Sequence, residues 1–360
     1  MSETLRSVLA FIVDVGVLVF FHELGHYLAA RSQGVVVEAF SVGFGPALIS
    51  WRAKSGTVWK ISALPLGGYV KMQGWGEEPV AGVAPVAGSF TAAKLRSRAL
   101  IVAAGPLANL ALAFVLFAGL FGTLGQVVVQ PVLSTIQPGS PAAAAGLQAG
   151  DRIISVDGKK IADFSQLQAM IGSHPDVSLA VTLNRHGQTV SQNVLVGDTT
   201  EDGDKIGHLG VVGTEASVRH FSPLGAVKAA GLECWNDTGT TLAGFYGLIH
   251  GQGVSGLTGP LGIAQISGQA ASMGFASVVG LIALLSINLG LVNLIPIPIL
   301  DGGHLLFYVA EAIYRRPLPA RAQDIGLRFG VAIILSLFLV TTFNDLTRLG
   351  VLSWVAHLFG

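Results

Sequence analysis

Charge is what this sequence lacks most. Only 12% of its 360 residues are charged, about half the share in an average soluble domain. The 21 basic and 21 acidic side chains cancel to a formal net charge of zero, so there is no basic field to hold nucleic acid, and nucleic acid is excluded as a partner. Cysteine is almost missing: a lone Cys234 rules out an internal disulfide framework. No histidine- or cysteine-rich tract and no long internal repeat are visible. The first apolar stretch does not end in a small-residue cleavage site but runs into His22-Glu23-Leu24-Gly25-His26, so it reads as a retained span and not a signal peptide.

Apolar residues fill the space that charge leaves. They make up 51% of the chain, and four segments approach the roughly 20 helical residues that cross a bilayer. These segments run from about Ser7 to Ala30, Ala99 to Phe121, Phe275 to Leu294 and Ile325 to Phe343. The connection between the first two spans carries eight basic residues (Arg31, Arg52, Lys54, Lys60, Lys71, Lys94, Arg96 and Arg98) against three acids. That between the last two carries Arg315, Arg316 and Arg321. The positive-inside rule places both in the cytoplasm. Residues 122–274, with seven basic and eleven acidic side chains, then lie outside with both chain ends.

The expected architecture is an α-helical integral membrane protein with four transmembrane helices, a membrane-associated β-hairpin region and one inserted α+β domain. Residues 1–121 form the first half of the membrane core. Within them, the short β-prone runs of 34–73, punctuated by Gly43, Gly45-Pro46, Ser55-Gly56 and Gly67-Gly68, read as hairpins at the inner membrane face. Glu77 to Gly88 reads as a loop. Residues 122–200 form the inserted domain. Its markers are a short helix at Ser140–Leu147, a strand, an Asp157-Gly158 turn and a strand, a helix over Phe164–Gly172, and a hairpin from Val177 to Val196. Residues 201–274 read as an amphipathic surface segment, and 275–360 complete the membrane core.

In His22-Glu23-Leu24-Gly25-His26 two histidines stand four apart on a helix, one turn apart on one face, where both imidazoles can share Zn²⁺. Glu23 then faces the bound water as its general base. Two histidines and a glutamate inside a span are costly unless they bind something or face a polar cavity. A catalytic zinc needs a third protein ligand. Asp301 is the first candidate, in Asn293-Leu294-Ile295-Pro296-Ile297-Pro298-Ile299-Leu300-Asp301-Gly302-Gly303, where two prolines break the helix and two glycines allow close approach. His304 and Glu311 are rivals, and Asp301 as the N-cap of the next helix is the structural alternative. Asp14, within the first span, reads equally as a supporting or a structural acid. Cys234, Trp51, Trp59 and Trp75 read as packing or interfacial anchors.

These two motifs, with the domain between them, resemble the site-2 protease family over nearly the whole chain, and within it the branch that regulates sigma factors by cutting anti-sigma factors in the membrane. The resemblance implies zinc held by His22, His26 and Asp301, Glu23 as catalytic acid/base, and Asn293 beside the bound substrate. It implies a bacterial inner (cytoplasmic) membrane protein with an active site near the cytoplasmic side. Its substrates would be single-span membrane proteins. The inserted periplasmic domain resembles a PDZ domain, which binds an extended chain or C-terminus at a sheet edge. Some relatives carry two in tandem, whereas this chain has one. Gly105-Pro106-Leu107-Ala108-Asn109 is similar to a family motif and reads equally as small-residue helix packing. The strands of 35–72 are similar to a region that holds substrate as an added strand. The competing classes are a membrane metal transporter or channel, in which Glu23 would tolerate Gln, and a PDZ-bearing scaffold without catalysis.

Overall fold

The computed structural model describes residues 2–76, 86–201, 204–250, 257–316 and 318–350. Most of the loop read at Glu77–Gly88 falls outside them. The chain divides into two compact units, 1–120 with 226–249 and 254–360, and 121–225 with 250–253.

The first unit opens with α1 (Glu3–Ser32), started by Ser2, whose Oγ accepts from the Leu5 N–H at 3.3 Å. Glu3 in the first turn and Arg31 in the last complement the helix dipole. The buried residues of α1 are Asp14, Leu18, Gly25, His26 and Ala30. Their spacing of about four marks one stripe, and much of the remaining surface is exposed and apolar, as a lipid-facing helix requires. Strands β1 (Val37–Arg52) and β2 (Val58–Met72) follow. They pair along two stretches, so that Ala39 lies opposite both Val58 and Lys71. Next comes α2 (Leu95–Thr123), with Pro106 inside it.

The second unit contains β3 (Gln126–Val129), β4 (Thr135–Ile136), α3 (Pro141–Ala144), β5 (Arg152–Val156), β6 (Lys159–Lys160), α4 (Phe164–Gly172), β7 (Ser178–Arg185), β8 (Gln188–Leu195), β9 (Gly197–Glu201), β10 (Asp204–His208), β11 (Val211–Val212) and β12 (Ala216–Arg219). Its centre is a four-stranded antiparallel sheet in the order β6-β5-β7-β8. The Asp163 side chain caps α4 by accepting from the Gln166 N–H at 2.9 Å. Leu179, Val181 and Leu183 alternate inward from β7 onto Leu167 and Ile171 of α4, Ile153 and Val156 of β5, and Val194. This unit extends past residue 200: β11 pairs with β4 and β12 with β3.

The first unit resumes with α5 (Pro223–Ile249), α6 (Pro260–Met273), α7 (Phe275–Leu294), α8 (Asp301–Tyr314) and α9 (Ala320–Arg348). Reading 201–274 as an amphipathic surface segment therefore needs correction at both ends. Its first part belongs to the second unit, and α6 is packed inside the first, with Ser267, Gly268 and Ala270 buried. A Cβ on Gly268 would overlap Ser7 of α1. The N-cap of α6, Gly259, has no side chain, so α9 supplies the missing acceptor. Asp345 accepts from the Gly259 and Gly262 N–H groups at 3.0 and 2.9 Å. Among the described residues four helices are long and apolar enough to cross a membrane: α1, α2, α7 and the Arg321–Arg348 stretch of α9.

Candidate metal centre

The helical repeat of α1 sets His22 and His26 on one face, where their rings meet edge to face with centroids 4.8 Å apart. Their Nε2 atoms are 3.2 Å apart. After α7 ends, Pro296 and Pro298 hold the chain out of helix. Asp301 then enters as the first residue of α8, with Leu300 as its N-cap. The Asp301 Oδ2 lies 3.2 Å from His22 Nε2 and 3.5 Å from His26 Nε2. Gly302 and Gly303 make this possible, since a Cβ on either would overlap backbone atoms of residues 294–298.

Three donor atoms thus converge from two segments far apart in the chain, and His22, His26 and Asp301 are the group suited to a metal ion among the described residues. Four ligands at about 2.0–2.1 Å around tetrahedral zinc stand about 3.3–3.4 Å from one another. The observed separations of 3.2, 3.2 and 3.5 Å match that spacing. The donor chemistry, two imidazoles and one carboxylate, is that of a catalytic zinc site, whose fourth position goes to water.

The other ring nitrogens are held from α2. His26 Nδ1–H donates to the Ile101 carbonyl at 2.8 Å, which fixes the tautomer and turns Nε2 toward Asp301. Gly105 leaves room for this ring, for a Cβ there would overlap Nε2. His22 Nδ1 sits 3.3 Å from the Asn109 carboxamide, which is fully buried and whose Oδ1 lacks a partner as oriented. With the carboxamide turned over, Oδ1 accepts from Nδ1–H and leaves Nε2 as the donor to a metal. The Ser286 hydroxyl of α7 donates to the Asn109 backbone carbonyl at 2.8 Å. In the same way Gly25 lets α1 approach Ala104 and Ala108. The segment from Gly105 to Asn109 therefore makes room for His26 and contacts His22 as well as packing the helices. Its local sequence could not separate these readings, because the signal is the tertiary proximity of His22 and His26.

Glu23 lies beside β2: a Cβ on Gly68 would stand 3.1 Å from Glu23 Cγ and 2.7 Å from Val19. Strand β2 therefore passes beside the Glu23 side chain. Asn293 stands in the last turn of α7, half-buried. The rivals for the third position have other neighbours. His304 meets the rings of Trp75 and Phe307 at 5.6 and 6.3 Å, and Glu311 accepts from Arg98 at 2.7 Å. Asp14 is buried two turns back along α1 and is not one of the converging donors.

A His-Glu-x-x-His helix with its ligand set closed by a distant carboxylate is a metallopeptidase arrangement. The chain belongs to peptidase family M50, the site-2 proteases, whose sequence profile matches residues 10–337. It is 41% identical to "Putative zinc metalloprotease Atu1380" of Agrobacterium fabrum across 95% of this chain and 96% of the relative. It is 35% identical to "Metalloprotease MmpA" of Caulobacter vibrioides across 96% of each chain. Among solved structures, the PDZ domain of the SdrC-like protein of Listeria monocytogenes aligns with 24% of this chain and 88% of its own, at 16% identity and a TM-score of 0.22.

Proposed function

We propose that the chain is a zinc-dependent endopeptidase that cuts single-span membrane proteins, of the anti-sigma factor type, inside or at the edge of a bacterial inner membrane. The observation that carries this reading is the meeting of His22 Nε2, His26 Nε2 and Asp301 Oδ2 within 3.5 Å of one another, next to Glu23 and among apolar helices. His22, His26 and Asp301 hold the metal. Zinc, when bound, polarises the scissile carbonyl and makes a bound water acidic enough to ionise near neutral pH. Glu23 takes the proton of the attacking water and passes it to the leaving amine. Ile101 and Asn109 keep both imidazoles in the tautomer that presents Nε2.

A membrane helix hides its peptide bonds in its own hydrogen bonds, so it must be unwound before attack. The strand edge at Gly68 can hold the unwound segment as an added strand alongside Glu23, and Asn293 contacts it near the reacting bond. Basic connections favour a cytoplasmic position for 31–98 and 315–321, with the second unit and both ends on the periplasmic side. The second unit acts as a PDZ-like domain that takes an extended chain or C-terminus and filters access to the core.

The test is to mix the purified full chain with candidate single-span proteins in detergent or bilayers. Cleavage in or at the edge of the span, abolished by a zinc chelator and restored by zinc, supports the proposal. Metal flux across the bilayer with no cleavage of any candidate would favour the transporter class and overturn it.

A further inference from the structure

The sheet formed by β1 and β2 has two unlike faces. Trp51, Trp59, Phe40 and Val70 are paired across it and share one face. There Trp59 stacks on Phe40 at 4.2 Å and meets Tyr27 of α1 at 5.3 Å. On the opposite face the register aligns Arg52, Val58, Ala39 and Lys71 in one row, and Lys60 with Ser41 in the next. Three cations thus share a face, where they line a cleft of about 500 Å³ with Glu38 and Ser55.

Within the cleft Lys71 is paired with Glu38 at 2.7 Å, and Arg52 donates to the Gly56 carbonyl at 3.1 Å. Lys60 is half-buried and makes no ion pair among the described residues. Among the described residues that line the cleft, one acid stands against three bases, an excess of two positive charges. Cations gathered on one face with too few acids to match them favour an anion between them.

The apolar end of the same hairpin indicates which anion. Phe44, Leu48, Ile49 and Leu64 are 44%, 69%, 58% and 55% exposed. Leu48 lies four strand residues from Arg52, a distance of about 13 Å. An apolar tip, a cation row about that far behind it, and a tryptophan pair at the same level fit a sheet whose tip enters the acyl region while its base meets the headgroups. A free acidic peptide would gain from the cations but would not explain the exposed tip.

We propose that the Arg52–Lys60–Lys71 cleft binds the phosphate-bearing headgroup of an anionic phospholipid and so fixes the depth of the sheet beside the metal centre. This rests on the membrane reading proposed above. The two are separable: a wrong membrane reading would leave the parent chain soluble without detergent, whatever Arg52 and Lys60 do.

The experiment titrates the purified full chain, in neutral detergent, with phosphatidylglycerol and with phosphatidylcholine, and counts retained lipid by native mass spectrometry. The parent should prefer phosphatidylglycerol. Each cation near an anionic surface contributes about a fivefold factor in affinity, so Arg52→Ala with Lys60→Ala should weaken phosphatidylglycerol by about 25-fold. Phosphatidylcholine should not change. The pair Lys159→Ala and Lys160→Ala, in exposed β6 of the second unit, should not alter either lipid. Circular dichroism and zinc content check that the variants fold. No preference in the parent, or unchanged phosphatidylglycerol binding in the Arg52/Lys60 variant, would overturn the proposal. Displacement of the lipid by inorganic phosphate at matched ionic strength would replace it with a small-anion site. Displacement by an acidic peptide alone would replace it with a peptide site.

Discussion

Exchanging Gly105 for alanine should have the opposite sign to the usual effect of such a change. In an unconstrained helix interior it stabilises by about 1 kcal/mol, because alanine has the higher helix propensity. At Gly105 the new Cβ would overlap His26 Nε2 and stand 2.5 Å from its Cε1 and 2.9 Å from its Cδ2. Carbon atoms pack at about 3.5–4.0 Å, so the ring must retreat by on the order of 1 Å. Its retreat is opposed by the bond from Nδ1 to the Ile101 carbonyl, which belongs to the same helix as Gly105. Metal donors tolerate shifts of about 0.2 Å, and losing one supporting contact to a ligand costs about 10–100-fold in metal affinity. Gly105→Ala should therefore weaken zinc by about 100-fold. The assay is competition with a chromophoric chelator on the solubilised full chain. Gly16→Ala serves as the control, since a Cβ there meets nothing within 4 Å. A Gly105→Ala chain that binds zinc as tightly as the parent would show that His26 does not hold the metal from its observed position.

Three further outcomes follow from the geometry. Arg98, which ties α2 to Glu311 at 2.7 Å and covers the Tyr308 ring at 5.2 Å, steadies the helix that carries Asp301. Arg98→Ala should cost about 3 kcal/mol in a denaturation experiment, and Arg98→Ala with Glu311→Ala clearly less than the sum of the two. In the second unit, burial raises the pKa of Asp151, but two bonds from Arg185 and one from the Gln148 N–H outweigh it and hold the carboxyl below the ordinary 3.8. A depressed carboxyl adds stability that is fully present above its ordinary pKa and lost as pH falls through the folded one. Hydrogen-exchange protection of β5 and β7 should hold steady down to about pH 5 and then decline. Arg185→Met should flatten that decline, and an equal decline in both proteins would refute the assignment. Finally, Asp301→Ala should empty the zinc site while His304→Ala, whose ring meets Trp75 edge-on, leaves zinc content nearly unchanged. The reverse result would replace the ligand set.

What the sequence could reveal follows from the range of each interaction. The spacing of His22 and His26 is a property of one helix and was visible directly. So were the apolar spans, which the structure lengthens by a few residues at each end except for α7, and the alternation of β7 and β8. The Pro296–Pro298 break and the paired glycines after Asp301 mark a close approach, but not its partner. That partner is 275 or more positions away, so His304 and Glu311 remained open on local grounds. Asn109 and Gly105 were ambiguous for the same reason. Helix α6 was missed because its N-terminal acceptor, Asp345, comes from α9 and its buried face is made of Ser267, Gly268 and Ala270, small residues with no apolar periodicity. Strands β11 and β12 have no local signal because their partners β4 and β3 lie about 75 to 90 residues earlier.

In the proposed function Glu23 moves the proton for a peptide-bond hydrolysis at a zinc held by His22, His26 and Asp301. The most direct measurement is zinc content and substrate cleavage on a single preparation of Glu23→Gln. Glutamine fills the same space and cannot accept the water's proton, so Glu23→Gln should keep parental zinc content with cleavage lowered by at least about 100-fold. Cleavage near the parental rate, with zinc retained, would contradict it.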